Sequence, residues 1–221
     1  MIPVDFASYF WAGGKSKSND NKQERTSVIP LKKHVKQGYF YGAYRVFMGD
    51  IPDIEEYLIV LMLRDPRDVL VSTYFSSAYS HGMPKHNSEL KQKMITKRKE
   101  VLQMTIDEFV LKHALGTLHQ YQEYVQNCLH RPNVLFLQYE NMVSDFEEWM
   151  QKLLMFLELD VPQEIVDQII SEADFTVQEE NIHAHKRQVT PGDHKRKLKP
   201  ETVRELNKIF SDVLRELDYA L

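Results

Sequence analysis

A chain of 221 residues is long enough for one well-packed domain and short for two. Its apolar share (43%) and charged share (27%) are those of an ordinary soluble globular protein, and a net charge of -4 gives no bulk positive field to draw in nucleic acid or an acidic membrane. The single cysteine, Cys128, excludes an intrachain disulfide and a cysteine-rich metal site. No run approaches the roughly 18 apolar residues of a membrane span. The first residues have no basic, apolar leader pattern, so a cytoplasmic protein is expected.

Residues 1–27 open with aromatic side chains through Trp11, pass Gly13-Gly14 and become wholly polar over 15–22, so they are expected to be an irregular part of a single domain spanning 1–221. A short apolar run at 28–35 ends in Lys32-Lys33-His34-Val35, and the aromatic cluster 39–44 is broken by Gly42. Residues 57–63 are apolar without alternation, as in a parallel strand buried on both faces. They run into Arg64-Asp65-Pro66-Arg67-Asp68, and 69–79 reads as a helix with Pro66 tolerated in its first turn and Asp65 as its cap.

Residues 85–99 are basic, as a loop or helix, and 105–127 form a long amphipathic helix. A second buried strand is expected at 133–139, then helices at 145–157 and 159–173. A polar stretch follows at 181–197, and a last amphipathic helix opens at Pro200-Glu201. Strands alternating with helices predict an α/β fold with a central parallel sheet flanked by helices. Ligands of such sheets sit beyond the carboxyl ends of the strands, which puts residues 64–72 and 139–141 on one edge.

The strand–turn–helix at 57–79 has the physics of an anion trap. A helix N-terminus aims unpaired N–H groups and a positive dipole end outward. Arg64 adds a guanidinium matched to phosphate oxygens, and Ser72, two helical turns on, can add a hydroxyl. From the residues alone an alternative stays open, in which Arg64 and Arg67 pair with Asp65 and Asp68 as a solvated cap.

The run Val60-Leu61-Met62-Leu63-Arg64-Asp65-Pro66-Arg67-Asp68-Val69-Leu70-Val71-Ser72-Thr73-Tyr74 closely resembles the 3′-phosphate segment of sulfotransferases that use 3′-phosphoadenosine 5′-phosphosulfate (PAPS). The resemblance implies a three-layer P-loop-like fold in which Arg64 and Ser72 hold the 3′-phosphate. Leu135-Phe136-Leu137-Gln138-Tyr139-Glu140-Asn141-Met142 looks like a later strand of that family, and implies that Tyr139 reaches the adenine side. The stretch from His185 to Lys195 resembles the loop that folds over the 3′-phosphate. Aligning Gly192-Asp193 puts Arg187 on the family's arginine, while Gln188 and Val189 depart from the usual Lys-Gly. Taken alone, that stretch reads as a basic surface loop.

The implied function is transfer of a sulfuryl group from PAPS to a hydroxyl or amine of a small-molecule acceptor, leaving adenosine 3′,5′-bisphosphate (PAP). The family's loop of the form Pro-Lys-(Ser/Cys)-Gly-Thr-Thr-Trp is not found in these 221 residues; Gly13-Gly14-Lys15-Ser16 is the one Gly-Lys-Ser element. Either the chain starts after that loop or it has lost it, and the alternative function is a catalytically incomplete nucleotide-binding or scaffold protein. Residues 28–35 resemble the family's Lys-Thr-His segment, which makes His34 the candidate general base, against its reading as an exposed histidine in a basic loop. His183, His185 and His194 lack metal-ligand spacing, so no metal is expected. A phosphoryl transferase would need a full Gly-x4-Gly-Lys-Ser/Thr loop and a metal-holding aspartate, and neither is evident. The acceptor and the oligomeric state leave no sequence signal.

Overall fold

In the computed structural model, two strands among the described residues run side by side and in the same direction: β1 (Ile59–Leu63) pairs with β2 (Val134–Gln138), with Ile59 opposite Val134 and Leu63 opposite Gln138. The structure describes residues 40, 47, 53–84, 87–173, 175, 177–184 and 186–221. The chain divides into two units, Met1–Tyr39 and Phe40–Leu221, and the described residues lie in the second.

β1 starts two residues later than its apolar run suggests. A short 3-10 turn, Ile54–Glu56, precedes it, and the Asn133 amide donates to the carbonyls of Ile54 (2.8 Å) and Tyr57 (2.7 Å), holding Tyr57 out of the ladder. Nor is the strand enclosed throughout, since Met62 is 41% exposed. Tyr139, expected to close β2, instead opens a helix.

After β1 the chain turns into α1 (Pro66–Phe75). The Asp65 carboxylate accepts from the Arg67 N–H at 2.9 Å, the expected cap, and Pro66 occupies the first turn, where a missing N–H costs no bond. The helix continues as a single π-helical turn, Ser76–Ser80. Such a turn shifts the bonding by one residue; here the Arg98 guanidinium donates to the carbonyls of Ser77 and His81. Arg98 belongs to α2 (Ser88–Leu102), the basic segment, which is helical.

α3 (Ile106–Tyr124) opens on a capping box: the Thr105 hydroxyl accepts from the Glu108 N–H while the Glu108 carboxylate accepts from the Thr105 N–H. It ends in a second π turn, Val125–Leu129. β2 is followed by α4 (Tyr139–Ser144), α5 (Phe146–Phe156), α6 (Gln163–Glu172), α7 (Asp193–Lys197) and α8 (Pro200–Ile209). The last amphipathic helix is not continuous: α9 (Ser211–Glu216) begins after a break at the buried Phe210.

Helices cover both faces of the sheet. On one side Leu61 and Leu63 pack with Tyr121 and Cys128 and with Val213 and Leu217. On the other, Val60, Leu135 and Leu137 meet Trp149, Met150 and Leu153 of α5 and Val166 of α6. A third cluster ties α1 to α3 and α8 through Leu70, Val71, Phe109, Val110, Leu206 and Phe210. This is the expected α/β layering, and it fixes the carboxyl ends of β1 and β2 at one edge. No described helix is long and apolar enough to cross a membrane.

Candidate anion site

Because Leu63 and Gln138 are opposite in the register, the residues that follow them, Arg64 and Tyr139, emerge side by side. The Arg64 guanidinium lies over the Tyr139 ring at 4.6 Å from its centroid. The turn beneath is bolted down by three groups. Tyr121 donates its hydroxyl to the Arg64 carbonyl at 2.5 Å. Glu140 accepts from the Asp65 N–H at 2.9 Å and from the Tyr219 hydroxyl at 2.8 Å. Burial pushes the Glu140 carboxyl above its ordinary range, and those two bonds work against that rise.

The two arginines of the motif have different fates. Arg67 is 1% exposed and fully bonded: to Asp65 through Nε (3.0 Å) and Nη2 (2.7 Å), to Asn207 at 2.6 Å and to the Ala220 carbonyl at 2.7 Å. Arg64 has one acidic neighbour, Asp68, with Nη2 3.6 Å from Oδ2, too long for a hydrogen bond. Its Nε and Nη2 are buried and bond to nothing among the described residues. The pairing of the cap alternative is present, Arg67 with Asp65 and Arg64 more loosely with Asp68, but it is buried and not solvated: Arg67 is a core strut, and Arg64 keeps donors without a hydrogen bond among the described residues.

Ser72 is half-buried on α1, one turn beyond Asp68 and one before Phe75. Residues three and four apart share a helix face, and this face meets the 186–197 segment. Asp68 accepts from the Gly192 N–H at 2.7 Å, and the Phe75 ring stands under the Arg187 guanidinium at 4.1 Å. Tyr139 also reaches this segment, donating to the Val189 carbonyl at 3.3 Å. Arg64, Ser72, Tyr139 and the Arg187 loop thus converge on one edge.

Arg187 is not in a surface loop. It is 7% exposed and paired with both Glu180 and Asp193, so a phosphate contact from it requires one of those pairs to open. His34 lies outside the described residues, as do Lys15 and His185. No sequence signal pointed to the structural roles of Asp68, Glu140, Tyr121 and His194, which depend on partners far along the chain. Grooves of about 420 Å³ between α2 and α3 and about 450 Å³ along β2 include none of Arg64, Ser72 and Arg187.

Asp68 is fully enclosed. Burial opposes its charge, but the bonds from the His194 ring and N–H and the nearby Arg64 outweigh burial and hold its carboxyl well below the usual range. A carboxyl that binds its proton less readily folded than unfolded stabilises above its ordinary range, and that stability is lost as pH falls. Urea unfolding should show the wild type losing stability steeply below about pH 4 and Asp68→Asn, already weaker at neutral pH, losing less over the same interval. Equal acid slopes contradict this.

A parallel sheet edge that presents an under-bonded guanidinium beside a helix start marks an α/β domain with a candidate anion site at that edge. Residues 55–218 match the family described as Sulfotransferase domain, and the chain belongs to it. The chain is 29% identical over 132 residues to sulfotransferase 1 family member D1 of Rattus norvegicus, a match that covers 58% of this chain and 39% of that protein. It is 25% identical over 124 residues to the 3-alpha-hydroxysteroid sulfotransferase of Cavia porcellus, covering 56% and 39%. Among solved structures it is similar to mouse sulfotransferase SULT7A1 complexed with PAP, with TM-score 0.53 and 20% identity over 73% of this chain and 63% of that one. That likeness carries the expected sulfotransferase, P-loop-like fold. The matched region is about two fifths of the length of these curated relatives.

Proposed function

We propose that this chain grips the 3′-phosphate of PAPS and of its product PAP, and that the protein containing it transfers the sulfuryl group to a hydroxyl or amine acceptor. The observation that carries the reading is Arg64, whose Nε and Nη2 are buried without a hydrogen-bond partner among the described residues. Leaving charged donors unbonded is costly, and a phosphate oxygen pair matches the guanidinium fork. Ser72 supplies a hydroxyl to the same phosphate, Tyr139 backs the guanidinium and borders the adenine side, and Arg187 closes from the loop. The transferred sulfur leaves the phosphate oxygen of the donor and bonds to the acceptor oxygen or nitrogen; the acceptor's proton goes to a base, for which His34 is the candidate. A cytoplasmic setting belongs to this reading, supported by one free, buried cysteine.

A second reading is nucleotide binding without turnover, as a binding or scaffold module. Both readings require discrimination at the 3′-phosphate. Titration should show adenosine 3′,5′-bisphosphate bound at least about tenfold more tightly than adenosine 5′-monophosphate, the value of one charge-assisted contact. Equal affinities contradict both. Sulfate transfer from PAPS then separates them: turnover supports the enzyme, and tight binding without turnover supports the module.

A further inference from the structure

Arg64 keeps its donors unspent although a buried carboxylate, Asp68, stands beside it. Asp68 and His194 are 126 residues apart in sequence and are 0% and 2% exposed. Asp68 Oδ1 accepts from the His194 N–H at 2.8 Å and meets its ring Nδ1 at 2.6 Å. Oδ2 accepts from the Gly192 N–H at 2.7 Å. Gly192 has φ 81, a left-handed conformation that glycine adopts without steric penalty, and the turn there aims the N–H groups of residues 192 and 194 at one carboxylate. A carboxylate only accepts, so ring Nδ1 carries the proton. Nε2 is buried and bonds to nothing among the described residues, so the ring's one polar contact there is Asp68.

A buried carboxylate with an arginine as its main donor closes to a bidentate contact at about 2.8 Å. Here the Asp68 oxygens are occupied by three other N–H groups, and Arg64 Nη2 stands off at 3.6 Å. We infer that His194 is a positioning residue of the 3′-phosphate grip: by holding Asp68 Oδ1 through its N–H and its ring, it fixes the carboxylate so that Oδ2 stays 3.6 Å from Arg64 Nη2, and it pins the Arg187 loop to the first turn of α1. This rests on the 3′-phosphate reading above. It assigns no contact between His194 and the nucleotide.

The test uses the full chain, titrated with adenosine 3′,5′-bisphosphate and adenosine 5′-monophosphate, together with hydrogen exchange of the Gly192 amide without ligand. His194→Ala should weaken the bisphosphate by about tenfold, one charged hydrogen bond's worth, with little change for the monophosphate. His194→Asn, which keeps an N–H near the Nδ1 position, should restore most of the loss. In the double variant Asp68→Asn/His194→Ala, the competing charge is gone, and affinity should recover relative to His194→Ala even though the loop stays loose. A merely structural histidine would show no such recovery. Bisphosphate affinity unchanged in His194→Ala, or an equal loss for both nucleotides, overturns the inference. Gly192 protection that survives His194→Ala overturns the pinning. A wild-type chain that protects Gly192 yet shows no preference for the bisphosphate sinks the 3′-phosphate reading instead.

Discussion

Arg64→Ala should weaken binding of adenosine 3′,5′-bisphosphate by about 10- to 150-fold, the loss of about 1.5–3 kcal/mol of charged hydrogen bonding. The same substitution should change unfolding stability by no more than about 1 kcal/mol, since the side chain's main internal contact is stacking on a tyrosine. Its guanidinium forms no hydrogen bond through Nε or Nη2, and Asp68 retains three other donors when it is gone. Arg64→Lys should be nearly as damaging to affinity, because an ammonium keeps the charge but lacks the planar fork. Titration and urea unfolding of the same samples check both halves. A variant that binds normally, or that fails to bind because it has unfolded, contradicts the assignment.

Arg67→Ala should do the reverse and cost about 3–5 kcal/mol of stability, the range for removing one member of a buried ion pair. Three residues later in the same motif, Arg67 joins Asp65 at the start of α1, Asn207 in α8 and the Ala220 carbonyl near the end of the chain. Truncation leaves the Asp65 carboxylate, 6% exposed, without its counter-charge. Two-state urea unfolding measures the loss as a lower midpoint at similar slope. A loss under about 1 kcal/mol would place Arg67 among surface charges and contradict the enclosed geometry. The remaining folded protein should still prefer the bisphosphate.

The contrast between these two arginines shows where the sequence stops. Its local rules were sufficient for the existence of β1, for Asp65 as a cap and for Pro66 in the first turn, because each depends on neighbours in the chain, and the alternation of apolar strands with helices was enough for the parallel layering. The rule that ligands sit beyond strand carboxyl ends put residues 64–72 and 139–141 on one edge, where Arg64 and Tyr139 do emerge side by side. No local rule separates Arg64 from Arg67, since the difference comes from Asn207 and Ala220 far downstream. The segment around Arg187 reads as a basic surface loop for the same reason. Arg187 is enclosed by Glu180 and Asp193, and the segment is tied through Gly192 and His194 to Asp68, over a hundred residues away. The strand at 57–63 was overcounted because Asn133, across the sheet, takes the Tyr57 carbonyl. Met62 shows that an unbroken apolar run does not guarantee cover on both faces.

The proposed grip comes down to one contact, the Arg64 guanidinium with a ribose 3′-phosphate. Its Nε–H resonance in ¹⁵N-labelled protein, assigned by its disappearance in Arg64→Lys, reports that contact directly. Addition of adenosine 3′,5′-bisphosphate should move the signal downfield and slow its exchange with water, and adenosine 5′-monophosphate should do neither. A resonance that stays in place under saturating bisphosphate would contradict the account.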